Sequence, residues 1–156
     1  MGEGLEDLKE QIVRSIFRLK HLDAVFHSGM DSPMNHFGIS VTELILMKKI
    51  EHNNLDSIEN IGISDIQKHL YITKAAVSKM LGVLEKKGYI LRETNKHNRR
   101  MLTITLTREG KDVLDCMSVD LDRILTEMIR LLGKDEIEQF IKSVNGFADA
   151  AKSVVV

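Results

Sequence analysis

The chain has 156 residues, 43% hydrophobic and 29% charged, with 22 Lys or Arg against 23 Asp or Glu and a single cysteine. This is a soluble globular composition, large enough to bury a core, and no apolar run approaches the roughly 20 residues that span a bilayer. One cysteine excludes an internal disulfide framework and a cysteine-built zinc site, and the acidic start MGEGLEDLKE is no basic signal leader, so a cytoplasmic protein with no membrane partner is expected.

The first predicted element is a helix over 5–26, with Leu5, Leu8, Ile12, Ile16, Leu19, Leu22 and Phe26 spaced by threes and fours. Val13, Phe17 and Val25 widen that stripe beyond what one small domain covers. Met30 to Ile39, with Pro33 and Gly38, reads as a loop. Ser40-Val41-Thr42-Glu43 is a capping box, flanked by Ile39 and Leu44 as a hydrophobic staple. It opens a brief helix carrying Leu44, Met47, Lys48 and Glu51 on successive turns, with Val41, Ile45 and Ile50 as further apolar contacts, closing near His52-Asn53-Asn54. Leu55 to Gly62 is a connector with one short strand expected at Ile61.

Ile63 to Leu106 then changes character twice. Ser64 and Gln67 cap a short helix whose apolar side is Ile66 and Leu70. Thr73 caps a second helix, predicted from Lys74 to Lys87, with Val77, Met80, Leu81 and Leu84 inward and Gly88 at the left-handed C-terminal position. Its outer face carries Lys74, Ala75, Ser78, Lys79, Gly82 and Lys86, small at the start and cationic throughout. Short side chains let a backbone enter a major groove while lysines and hydroxyls reach phosphates and base edges. From Ile90 the period becomes two: Leu102, Ile104 and Leu106 share one side, Met101, Thr103 and Thr105 the other. Between the strands, Asn95 to Arg100 is a turn with three fixed positive charges, Lys96, Arg99 and Arg100. Two helices followed by a basic-tipped hairpin are a winged helix-turn-helix.

Lysines on an exposed helix are usually only a solvated surface, but here the charge is segregated. Ile63 to Lys111 holds eleven Lys or Arg against four Asp or Glu, a net +7, which leaves eleven against nineteen elsewhere, a net −8. A basic centre between acidic flanks is what a protein needs when only its centre faces phosphate.

Past the wing, Thr107 caps a long helix in which Leu114, Met117, Leu121, Ile124, Met128 and Leu131 alternate by three and four, the seam of a coiled coil. Gly133 breaks it. A final helix from about Lys134 presents Ile137, Phe140, Ile141, Val144, Phe147, Ala148 and Ala151. Part of these stripes must form an intramolecular core, yet the first helix and the last two offer more apolar face than the winged-helix segment can bury, which favours a second copy of the chain.

With these elements in order, the chain resembles the MarR-type bacterial transcription regulators over nearly its whole length. The motif is carried by Leu70, Thr73, Val77, Ser78, Lys79, Leu84, Glu85, Gly88, Tyr89, Ile90, Arg92, Arg99-Arg100 and Leu106-Thr107-Arg108-Glu109-Gly110. The resemblance implies a mainly α (α+β) chain of a single MarR-like unit, 1–156, with a winged helix-turn-helix lobe at 40–106 and a helical dimerisation region at 1–29 and 107–156. It implies a homodimer joined through residues such as Leu5, Leu8, Ile12, Leu121, Ile124, Met128, Ile137, Phe140, Ile141 and Val144. Thr73, Lys74, Ala75, Ser78 and Lys79 are then the groove residues and Lys96, Arg99 and Arg100 the wing residues on a palindromic double-stranded operator. Repression is the commoner role in such families, and a small-molecule effector binding between the dimer helices and the DNA-binding lobes could release the operator. One departure is Asn98, where the family commonly has an aspartate before the two wing arginines.

Other sites are weak. Cys116 lies in the long helix, away from the start of the chain where hydroperoxide-sensing members carry their cysteine, and is read as structural. His21 and His27 are six apart, about 120° from sharing a face, with no ligand-spaced partner, so no metal or other cofactor is expected; His27 and His36, with Met30 and Met34, are the residual candidate. No nucleophile elbow, phosphate-binding glycine loop or His-Glu metal motif is present, so an enzyme is not expected. The competing class is a winged-helix protein-interaction module whose basic face meets an acidic partner.

Overall fold

The computed structural model describes residues 2–22, 24, 36–56, 72–94 and 102–155. In chain order these form α1 (Gly2–Lys20), α2 (Val41–Asp56), α3 (Lys74–Lys86), β1 (Ile90–Thr94), β2 (Leu102–Leu106), α4 (Arg108–Leu132) and α5 (Lys134–Val155). The described residues are mainly helical with one small antiparallel sheet, as their periodicities require. The helix expected over Ser64 to Leu70, the strand expected at Ile61 and the wing tip from Asn95 to Met101 lie outside the described residues.

Contacts divide the chain into two units, Met1–Ser118 and Val119–Val156. In the first, Ile39, Leu44, Leu46, Met47, Ile50, Val77, Leu81 and Leu84 are fully buried, joined by Ile90, Ile104, Leu106, Val113, Leu114 and Met117. α2 packs against β2 and α3 against β1. The strands pair in the register Ile90↔Leu106, Arg92↔Ile104 and Thr94↔Leu102, so Ile90, Ile104 and Leu106 face the helices together. The second unit holds the end of α4 and all of α5, separated at Gly133, the expected break, whose φ of 85° is left-handed. Phe140, Ile141, Val144 and Phe147 of α5 are exposed.

The capping box at the start of α2 forms in both directions: the Glu43 amide donates to Ser40 Oγ at 3.1 Å, and the Ser40 amide donates to Glu43 Oε2 at 2.9 Å. Ile39 and Leu44, the expected staple, are both fully buried. Inside α2 the inward side is partly different from expectation. Leu46 is fully buried while Ile45 is exposed, because the apolar run Leu44 to Met47 covers almost the whole helix circumference and only tertiary packing selects the inward side. α2 also continues to Asp56, past the expected stop.

α1 begins at Gly2, three residues before the expected start. Its regular ladder closes after Lys20, where the His21 amide is shared between the Phe17 and Arg18 carbonyls at 3.2 and 3.1 Å and His21 Nδ1 lies 2.7 Å from the Phe17 carbonyl. Of the remaining stretch to Phe26, Asp23, Val25 and Phe26 lie outside the described residues. No described helix is long and apolar enough to cross a membrane.

Candidate nucleic-acid interface

α3 is the element on which the site depends, and both its ends are fixed by local chemistry. Thr73, extended at φ −74° and ψ 155°, accepts the Ala76 amide on its hydroxyl at 3.2 Å, so the helix starts where the cap dictates. Accepting that bond leaves the hydroxyl proton of Thr73 to donate outward. At the other end, Gly88 at φ 77° allows its amide to reach the Glu85 carbonyl at 2.9 Å and the Tyr89 amide to reach Leu84 at 3.0 Å, a complete Schellman turn.

Val77, Leu81 and Leu84 bury one side of α3 completely, and Met80 is half-buried. The opposite side exposes Thr73, Lys74, Ala75, Ser78, Lys79, Gly82 and Lys86. Every groove residue expected on α3 therefore lies on one solvent-facing surface. Glu85 is the acid on that surface, and its Oε2 stands 3.2 Å from Arg92 Nε on β1.

Lys87 has a different task from the other lysines. Its ammonium donates to the Phe37 and Gly38 carbonyls at 2.8 and 2.7 Å. Gly38 has φ 59°, and a Cβ there would stand 2.9 Å from Lys87 Nζ, so glycine both permits the turn and leaves room for the ammonium. This lysine ties the end of α3 to the segment before α2. The start of α4 is joined to the same corner: the Thr107 amide donates to the Tyr89 carbonyl at 3.0 Å, and Thr107 Oγ1 caps the Gly110 amide at 2.9 Å. Tyr89 is buried in this corner, and burial together with the neighbouring Glu109 carboxylate raises its phenol above the ordinary tyrosine range.

The wing is described only at its base, β1 and β2. Lys96, Arg99 and Arg100, and the departing residue Asn98, fall outside the described residues. Of the residues named for dimerisation, Leu5, Leu8, Ile12, Phe140, Ile141 and Val144 are exposed on the single chain, while Ile124, Met128 and Ile137 are half-buried. Leu121 is 8% exposed and so has little surface left to offer a partner. Cys116 is exposed, without the burial that a packing cysteine has. His36 stands edge-on to Phe37, with ring centroids 5.1 Å apart, and His27, Met30 and Met34 are outside the described residues. Among the described residues no group of three His, Cys, Asp or Glu could hold a metal ion.

Sequence reasoning missed three members of this site. Lys87 entered as the end of the helix and in the charge count, and Glu85 and Arg92 in that count and in the family motif. The signal for the second pair was present, since an acid on a cationic groove face calls for a neighbouring base.

The MarR family model matches residues 53–102, which span the end of α2 through the start of β2. HTH-type transcriptional regulator YdgJ of Bacillus subtilis is 29% identical over 99 residues, 64% of this chain and 57% of YdgJ, so the chain spans little over half of that relative. HTH-type transcriptional regulator SarZ of Staphylococcus epidermidis is 23% identical over 114 residues, 73% of this chain and 72% of SarZ. Among solved structures, the S. aureus MepR–DNA complex superposes with a TM-score of 0.66 at 21% identity, covering 90% of this chain and 94% of MepR. The fold and the lobe's sequence agree: residues 53–102 match the MarR family model, and the chain as a whole has the fold of the MepR structure.

Proposed function

We propose that this chain is a dimeric, sequence-specific DNA-binding transcription regulator, a repressor that recognises an inverted-repeat operator. The observation that carries the reading is α3: a helix capped at Thr73 whose exposed side gathers Lys74, Ala75, Ser78 and Lys79, in a lobe with MarR-family sequence. Thr73 and Lys74, at the helix start, suit phosphate oxygens, because free amides and the helix dipole add to their donors. Ala75, Ser78 and Lys79 lie along the face that would meet base edges, with Lys79 able to reach guanine acceptors. Lys96, Arg99 and Arg100 are assigned to a neighbouring minor groove.

The dimer is inferred from apolar surface with nothing over it. Leu5 and Leu8 on α1, and Phe140, Ile141 and Val144 on α5, would cost solubility if left in water and match what a symmetric helical interface buries. Two copies place two α3 helices at half-sites about one helical turn apart. An effector would release the operator by binding one spacing of the lobes more tightly than the other, since equal affinity shifts nothing. The protein would act in the cytoplasm, where the operator is.

The test is binding to fragments of the protein's own upstream region with competitor DNA present. Saturable, salt-sensitive binding of one dimer to one palindromic fragment is expected. Weak binding indifferent to sequence would contradict the reading and favour an acidic protein partner.

A further inference from the structure

Arg92 sits where strand alternation puts apolar residues. It faces the same side of the sheet as Ile90 and is paired with Ile104, which are 1% and 3% exposed, while Leu91 and Glu93 turn outward. An arginine on that side has to bring its head group out past the core, and its side chain is only 22% exposed. It emerges at α3. A Cβ added to Gly82 would lie 3.8 Å from Arg92 Nη2, so the guanidinium rests over the one position of the exposed α3 face without a side chain.

Glu85 explains why it stays there. Glu85 falls three turns beyond Lys74 on the same stripe as Ser78 and Gly82, and its Oε2 is 3.2 Å from Arg92 Nε. Nε is wholly buried and makes no hydrogen bond of good geometry, so the carboxylate supplies its compensation as an ion pair. An unpaired Glu85 would repel phosphate on a surface meant to approach it, and Arg92 cancels that charge. With Nε turned toward Glu85, the Nη groups form the outer edge of the fork, Nη2 beside Gly82. Planar paired donors of this kind suit a phosphate.

We infer that Arg92 is a further phosphate-contacting residue, its guanidinium held by Glu85 over Gly82 on the exposed face of α3. The inference rests on the DNA-binding reading above and adds a cation from β1 to a surface otherwise built from one helix. Glu85 is a positioning residue: it acts through Arg92.

The experiment measures affinity for the upstream duplex against salt for wild type and Arg92→Gln, with circular dichroism melts to establish that both are folded. Each lost phosphate contact lowers the log–log salt slope by about 0.9, so a dimer of Arg92→Gln is expected to lose about 1.8. Weaker binding with an unchanged slope would overturn the contact and leave Arg92 a structural tie. Wild-type protein that fails to bind the duplex would overturn the function and the inference together. Should Arg92→Gln unfold, Arg92→Lys, which keeps a cation opposite Glu85, carries the test. Single methylphosphonate replacements are then expected to reveal one phosphate per half-site whose neutralisation weakens wild type more than Arg92→Lys, and finding none overturns the contact.

Discussion

Thr107 Oγ1 donates to the Gly88 carbonyl at 2.7 Å while accepting from the Gly110 amide at 2.9 Å, so one hydroxyl joins the C-terminal turn of α3 to the first turn of α4. Thr107→Ala removes the cap and the tie together and is expected to destabilise the fold by about 1–2 kcal/mol, whereas Thr107→Ser keeps both bonds. Urea unfolding at equal protein concentration measures the difference. Equal midpoints for wild type and Thr107→Ala would contradict this role.

The same corner sets opposite outcomes for two glycines. A Cβ on Gly110 would stand 2.0 Å from the Tyr89 carbonyl oxygen, which is held by the Thr107 amide and cannot retreat without breaking that bond. Gly110→Ala should cost about 3 kcal/mol or more. Gly82, inside α3 with only Arg92 Nη2 at 3.8 Å, has room, and Gly82→Ala should stabilise by about 0.5–1 kcal/mol. Thermal melts of the two variants check both signs at once.

Tyr89 makes a pH prediction. Its folded-state pKa is raised, first by burial and then by Glu109, so the folded state favours the neutral phenol. That stabilisation is fully present below the ordinary tyrosine value of about 10 and is lost as pH rises through the higher folded value. Spectrophotometric titration should show one of the two tyrosines ionising late, and Tyr89→Phe should remove that late step.

If the exposed apolar residues of α1 and α5 form the dimer, a charge there should separate the protomers. Phe140→Glu is expected to yield monomers in sedimentation analysis at micromolar concentration, because an unpaired carboxylate would be buried at the interface. A dimer that persists with Leu8→Glu and Phe140→Glu together would place the interface elsewhere.

The parts of this fold legible in the sequence are those decided within a few residues. The Ser40–Glu43 box, the Thr73 and Thr107 caps, and the left-handed Gly88 and Gly133 all follow from local rules of helix ends, and each appears where the rule puts it. What local rules could not reach is contact over distance. Lys87 finds its two carbonyls 49 and 50 residues away, so nothing beside it in the sequence marks it as already engaged. Arg92 faces inward on a strand because α3 has an open glycine and a carboxylate above it, which the strand's own alternation does not reveal. The choice between Ile45 and Leu46 failed for a related reason, since four consecutive apolar residues carry no phase. For the interface, the α3 face was legible because its period is strict.

The central claim is that the exposed side of α3 reads DNA, and the most direct measurement compares wild type with Lys79→Ala on the specific upstream fragment and on unrelated duplex at one salt concentration. The account predicts that Lys79→Ala weakens specific binding by about 1–3 kcal/mol while non-specific binding changes little, so the specificity ratio collapses. A folded Lys79→Ala protein that keeps the wild-type specificity ratio would contradict the assignment of α3 as the reading element.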